Sequence, residues 1–264
     1  MRLLPPCEVA WFGALCDDDY EQLGVPDARL RSSWTHCAAI VEEAERQGFD
    51  SVLMPSGYAL GLDTTVMAAA LAVRTSSIRL LMAVRMAETW PPALARQLAT
   101  LQHLAGGRLD VNVISSDLAG AELAGPSRYA RTLEVLTILE DLLAGRSTRL
   151  AGEFFDLEVD PPRIATGPRP TVYFGGLSEA AREVAASAAD VYLMWPDVED
   201  VVAGTVRDLR ARAAVHGRSL RFGYRVHVVV RDTEREARNA AAWLVAGLDD
   251  AEGRAIRALS LIHI

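Results

Sequence analysis

Cysteine is scarce in this chain and badly spaced for chemistry. Cys7, Cys16 and Cys37 form no C-x-x-C pair and no metal-ligand pattern. That excludes a disulfide scaffold or a thiolate metal site and leaves reduced thiols in a cytoplasmic protein as the expectation. Long apolar runs are also missing: none approaches the ~18 residues of a membrane span. The opening Met1–Pro6 lacks the apolar core of a signal peptide. Basic residues are outnumbered, giving a formal net charge of −8. This argues against nonspecific binding to nucleic acid or to an anionic membrane, while a small anionic substrate stays open because a local potential can oppose the global sign. Aromatics make up 6% of residues against 50% hydrophobic overall, so the core is aliphatic and alanine-rich. No Ser-His-Asp order, H-E-x-x-H helix or P-loop is present, nor any linker or fixed-period repeat.

What the chain does have is alternation. Strand patterns fall at 8–12, 51–54, 78–84, 109–114, 171–174, 190–195 and 221–230. Helical patterns fall at about 30–47, 64–72, 91–104, 129–143, 178–188, 200–216 and 233–247. Such βα units predict an α/β fold around a parallel sheet. The 264 residues match the length of one (β/α)8 barrel, so a single domain over 1–258 is expected. The segment Arg149–Pro170, with Phe154-Phe155 and several prolines, reads as a small excursion outside the barrel. Seven strands would leave two unpaired edges, so the expectation is a chain that stops before its eighth strand. Leu259–Ile264 reads as the translated end of a sequencing-library transposon. The natural sequence is therefore expected to end near Ala258, and His263 takes no part in the chemistry.

The stretch Arg221–Val230 reads as one buried strand on which Arg225 and His227 share a face. A buried guanidinium beside an imidazole suggests a pocket that holds an anion and handles a proton; a core carboxylate paired with the Arg and a backbone-satisfied His is the competing reading. Phe174-Gly175-Gly176-Leu177-Ser178 follows a strand and opens a helix, where glycines admit a ligand to the backbone and free N–H groups bind phosphate. Ser178 would cap that helix; the plainer alternative is an ordinary tight turn. Arg128 and Tyr129 begin the helix after strand four and could reach the same phosphate, or simply pack. Asn112, set among Val and Ile, needs partners that a ligand ring or a neighbouring loop would supply. Trp195, before Pro196, could wall a pocket at the strand ends or be core. His36 and His103 read as packing or surface residues, His216 as a helix C-terminal cation, and Asp17–Asp19 as a solvated loop.

Several segments, in order, resemble the bacterial luciferase-like flavin-dependent monooxygenases, and among them the reduced-FMN-dependent alkanesulfonate monooxygenases. They are Gln47–Gly57, Ala95–Leu101 with Gly106-Gly107-Arg108, Tyr173–Gly176, Asp190–Trp195, and His216-Gly217-Arg218 running into Arg221–Val228. The similarity covers nearly all of residues 8–250. It implies a luciferase-like (β/α)8 TIM barrel with FMN at the C-terminal mouth. The phosphate would be held by Gly175, Gly176, Leu177 and Ser178 with Tyr129 and Arg128. Ser56, Arg85 and Asn112 would lie along the isoalloxazine, and Trp195, Arg225 and His227 would line the substrate pocket, the last two as catalytic residues. The resemblance further implies an NAD(P)H-dependent FMN reductase as partner and dimers or tetramers. Oxygen would be used through a flavin peroxide to release sulfite and an aldehyde from a small organosulfur compound. Two departures stand out. The loop Tyr58–Leu62 has no cysteine where the alkanesulfonate enzymes carry one, so the resemblance does not carry over the preferred sulfonate. The family's lid loop, eighth strand and late active-site Tyr have no counterpart in this sequence. A deazaflavin-dependent dehydrogenase on the same barrel, or a non-catalytic flavin-binding relative, are the alternatives.

Overall fold

The structure, a computed structural model, describes residues 7–15, 22, 31–57, 61–116, 120, 122–123, 125–164, 167–248 and 251. Cys16, Asp17–Asp19, Tyr58–Leu60, the expected end near Ala258 and the tail 259–264 lie outside the described residues. In chain order the elements are β1 (Ala10–Phe12), α1 (Trp34–Arg46), β2 (Ser51–Met54), α2 (Thr64–Ala72), β3 (Arg79–Arg85), α3 (Pro91–Leu104), β4 (Leu109–Ile114) and α4 (Gly125–Leu143). They continue with β5 (Thr148–Ala151), β6 (Asp156–Val159), β7 (Thr171–Phe174), α5 (Glu179–Ala188), β8 (Val191–Met194), α6 (Glu199–Val215), β9 (Arg221–Tyr224) and α7 (Glu234–Leu244).

The seven expected strands form one sheet in the order β1-β2-β3-β4-β7-β8-β9, every pairing parallel. The expected excursion holds a separate antiparallel hairpin, β5–β6. Its turn is tied to α4, because the Glu134 carboxylate accepts the N–H groups of Glu153, Phe154 and Phe155 at 2.7, 3.1 and 3.0 Å.

Registered neighbours on parallel strands point to the same face. One face therefore carries Val52, Met54, Leu80, Met82, Val84, Val111, Val113, Phe174, Tyr192 and Met194, all packed in one core with helical residues such as Leu71, Leu98, Ile138 and Val184. Each such aliphatic side chain contributes roughly 1.5–3 kcal/mol on burial. The opposite parity gives an inner face: Ala10, Phe12, Leu53, Leu81, Ala83, Asn112, Tyr173, Leu193, Gly223 and their register partners. The edges of this face come together. Arg221 of β9 lies 3.8 Å from Glu8 beside β1, and the Arg225 guanidinium lies 5.8 Å from the Phe12 ring centroid. The sheet is thus curled, as a barrel requires.

The N-terminal floor of the inner face is ionic. Buried Asp110 accepts two bonds from Arg79, at 2.7 and 2.5 Å, and one from the Thr171 N–H at 3.1 Å. Tyr173 stands in register with Asn112, two residues beyond Asp110. Burial first, then the Asp110 and Glu8 charges, push the Tyr173 pKa up to about 12. Asp50 and Asp190 likewise accept N–H groups from neighbouring strands, Val9 at 2.7 Å and Val172 at 2.9 Å.

One expectation is corrected here. The predicted strand 221–230 pairs only as far as Tyr224, with a last bond from the Arg225 N–H to the Met194 carbonyl at 3.0 Å. Residues 226, 227, 228 and 230 are exposed rather than buried. The reason is physical: β8 ends at Met194, and β9 is a sheet edge, so among the described residues the Val-rich segment has no ladder to join and no layer to cover it.

Glu45 of α1 fastens the start of β3. Its carboxylate accepts the N–H groups of Ser76, Ser77 and Ile78 at 2.8, 2.6 and 3.1 Å, and the Ser77 hydroxyl at 3.0 Å. Burial works to raise the Glu45 pKa, but these four donors outweigh it and hold the group at about 2 against an ordinary 4.5. A carboxylate depressed on folding adds stability that is complete above the unfolded value and is lost as pH falls toward the folded one. Glu45→Gln should therefore cost about 2–3 kcal/mol at neutral pH after allowance for solvent screening. It should also flatten the fall in stability between roughly pH 5 and pH 2. Urea unfolding across that range measures both, and an unchanged acid limb would reject the assignment.

Candidate active site at the C-terminal ends of the strands

Ligands of parallel α/β sheets bind beyond the carboxyl ends of the strands. The sequence candidates converge on that end. Arg85 closes β3, Asn112 sits two residues before the end of β4, Gly175–Ser178 follow β7, Trp195 follows β8 and Arg225 follows β9. By register, Arg85, Asn112, Gly175, Trp195 and Arg225 all belong to the inner face. Ser56 follows β2 in the same rim.

The Gly-Gly turn is shaped by close packing. A Cβ on Gly175 would lie 2.8 Å from the Leu193 carbonyl oxygen, so only glycine lets β7 leave the sheet this close to β8. Gly176, at φ 151°, uses a region that favours glycine. Ser178 caps α5, its hydroxyl oxygen accepting the Ala181 N–H at 3.2 Å. The hydroxyl hydrogen remains available to donate. The N–H groups of Gly176, Leu177 and Ser178 donate to nothing among the described residues, and Leu177 and Ser178 are exposed. Three open amides and a hydroxyl thus lie at the positive end of α5, a set of groups that suits a dianionic phosphate. Tyr129 is buried against Phe174, the residue before the turn, with ring centroids 6.4 Å apart. Arg128 stacks over the Tyr129 ring at 5.3 Å.

Two strands away, the Arg225 guanidinium lies 4.2 Å from the Trp195 ring centroid and 5.8 Å from that of Phe12. No carboxylate acts on it among the described residues, and burial lowers its pKa. Trp195 is 38% exposed, so this aromatic wall opens to solvent rather than closing a core. His227 is exposed, beyond the end of the ladder, and not on a buried strand beside Arg225 as its spacing predicts.

On the other side of the rim Arg85 knits three loops. It donates to the Ser116 hydroxyl after β4 and to the Ser56 carbonyl after β2 at 3.2 Å, and its Nε lies 3.6 Å from Glu88. The Asn112 carboxamide, half-buried on the inner face, makes no hydrogen bond with the described residues. Sequence reasoning missed Ser116 and Phe12. Ser116 could have been found as the first polar residue pair after an apolar strand; Phe12 could have been found from β1 parity once the barrel closes. His216 holds Glu183 at 2.7 Å on the outer helices, far from this rim in role. No group of ligating side chains that could hold a metal is present among the described residues, and no helix among them is long and apolar enough to cross a membrane.

A sulfoquinovose monooxygenase of Novosphingobium aromaticivorans is 58% identical to this chain, across 97% of it and 73% of the relative's length. Another, from Agrobacterium fabrum, is 46% identical across 96% of this chain and 67% of its own length. Among solved structures, EDTA monooxygenase from Chelativorans sp. BNC1 superposes with a TM-score of 0.79 at 21% identity, over 96% of this chain and 69% of that one. This likeness is one of fold. The family model for luciferase-like monooxygenase matches residues 15–260, and with a seven-stranded parallel sheet converging on a glycine turn and a stacked arginine, the chain belongs to the luciferase-like monooxygenase family.

Proposed function

We propose that this chain uses reduced FMN and O2 to oxygenate the carbon bearing the sulfur of a small organosulfonate, releasing sulfite and an aldehyde. The observation that carries the reading is Arg225. Partial desolvation of a guanidinium costs several kcal/mol, while stacking on aromatic rings returns about 0.5–2 kcal/mol. The shortfall is met when an anion arrives, and a sulfonate matches the planar fork of donors. The names of the two relatives make a sulfonated sugar the substrate class we favour.

The residues fit the cofactor on two counts. Gly175 has no room for a Cβ beside the Leu193 carbonyl and Gly176 takes a glycine-favouring φ of 151°, and the turn they make leaves its amides open beside the Ser178 hydroxyl. We assign the FMN phosphate to Gly175, Gly176, Leu177 and Ser178, with Tyr129 and Arg128 behind them. Ser56, Arg85 and Asn112 take the flavin-ring side, where the Asn112 amide, without a hydrogen bond to the described residues, offers both a donor and an acceptor. When bound, reduced FMN supplies the two electrons that, with O2, carry out the oxygenation. Arg225 orients the sulfonate and balances its charge, Trp195 walls the substrate, and His227 exchanges a proton with the reacting group. An NAD(P)H-dependent FMN reductase would deliver the reduced cofactor, and self-association as dimers or tetramers and a cytoplasmic location complete the proposal.

Sulfite release is the direct assay, with reduced FMN, O2 and either sulfoquinovose or a simple alkanesulfonate. Flavin oxidation coupled to neither sulfite nor O2 uptake would instead favour hydride transfer. Arg225→Ala should lower kcat/KM for the sulfonate about a hundredfold, equivalent to ~2.7 kcal/mol. It should leave FMN affinity within about threefold, since it acts on the substrate and not the phosphate. Gly175→Ala should do the reverse, weakening FMN about tenfold or more, because the added methyl displaces the turn from Leu193. If Arg225→Ala turns over normally, the anion role is wrong.

A further inference from the structure

Tyr192 has no part in the site as drawn so far. It lies on the outer face of β8, 1% exposed within the helical core. Its hydroxyl donates to the Gly176 carbonyl oxygen at 2.5 Å. Burial raises its pKa, with the Arg182 charge and the Gly176 bond acting against that rise, so it stays a protonated donor. A peptide unit is planar and trans, with its C=O and the following N–H antiparallel. A Gly176 carbonyl drawn toward Tyr192, into the helical layer, therefore aims the Leu177 N–H the opposite way, toward the open spot at the start of α5. Gly176 at φ 151° offers little steric resistance to rotation of this peptide. The tyrosine hydroxyl is the group that holds it.

We propose that Tyr192 is a positioning residue for the cofactor phosphate: from behind the sheet it locks the Gly176–Leu177 peptide plane so that the Leu177 amide faces the anion. The inference rests on the phosphate assignment made above. It deepens that assignment by naming a residue that never touches the ligand.

The test compares FMN with riboflavin, which lacks only the phosphate, by quenching of tryptophan fluorescence on titration. Wild-type protein should bind FMN more tightly than riboflavin. Tyr192→Phe should weaken FMN about tenfold and leave riboflavin within about twofold, because one amide no longer faces the phosphate. A general loss of structure would weaken both flavins together. Circular dichroism checks the fold, and a 3-fluorotyrosine at position 192, a stronger donor of nearly the same shape, gives a second route: its FMN preference should equal or exceed that of wild type. A Tyr192→Phe protein that keeps the full preference, or a fluorotyrosine protein that loses it, overturns the role of Tyr192 while leaving the phosphate site standing. No preference for FMN in the wild type would remove the phosphate site itself, and the inference with it.

Discussion

A curled parallel sheet has two faces with opposite obligations, and side-chain alternation assigns each residue to one of them. The outer face must be apolar where helices cover it, from β2 to β8. The inner face is narrow, and its two ends are reached differently. The floor is closed by the Arg79–Asp110 pair with Tyr173 above it, whereas the mouth is left to Arg85, Asn112, Trp195 and Arg225. Closed ion pairing and open polar groups are thereby separated along the strand direction. Neither end compromises the helical core on the other side of the backbone.

Three arginines show how differently a half-buried cation is accommodated. Arg79 has a carboxylate, and the Asp110 hydrogen bonds hold its pKa up. Arg108 has none at bonding distance but donates to the carbonyls of Ala72, Thr75 and Ile78 and to the Thr75 hydroxyl, joining the end of α2 to β3. Arg225 has only ring faces among the described residues. The first two are complete within the protein. The third has no such partner among the described residues, and that difference is why it, rather than the other two, is proposed to meet an anion.

Much of this was readable from the chain. The alternation of patterns, the parity of Arg221, Gly223 and Arg225, the glycine turn and the Ser178 cap follow from local rules that need no partner strand. Where β9 ends did not follow. Val226–Val230 has every local feature of a strand, yet pairing depends on a neighbour, and β8 has already stopped at Met194. Glu45 could not be read either, since its donors lie more than thirty residues on. Tyr192 falls in a strand that the pattern shows, but its hydrogen bond to a carbonyl sixteen residues away does not follow from that pattern. Long-range hydrogen bonds carry no periodicity, so sequence patterns are silent about them.

The β5–β6 hairpin stands outside the sheet and is attached at its turn through the carboxylate of Glu134. The hairpin also lays Leu150, Phe155, Leu157 and Val159 against the core, so only its exposed positions are free to diverge without disturbing the packing beneath. The outward side of the hairpin thus offers evolution, or an engineer, a place to graft new recognition while the barrel is left untouched.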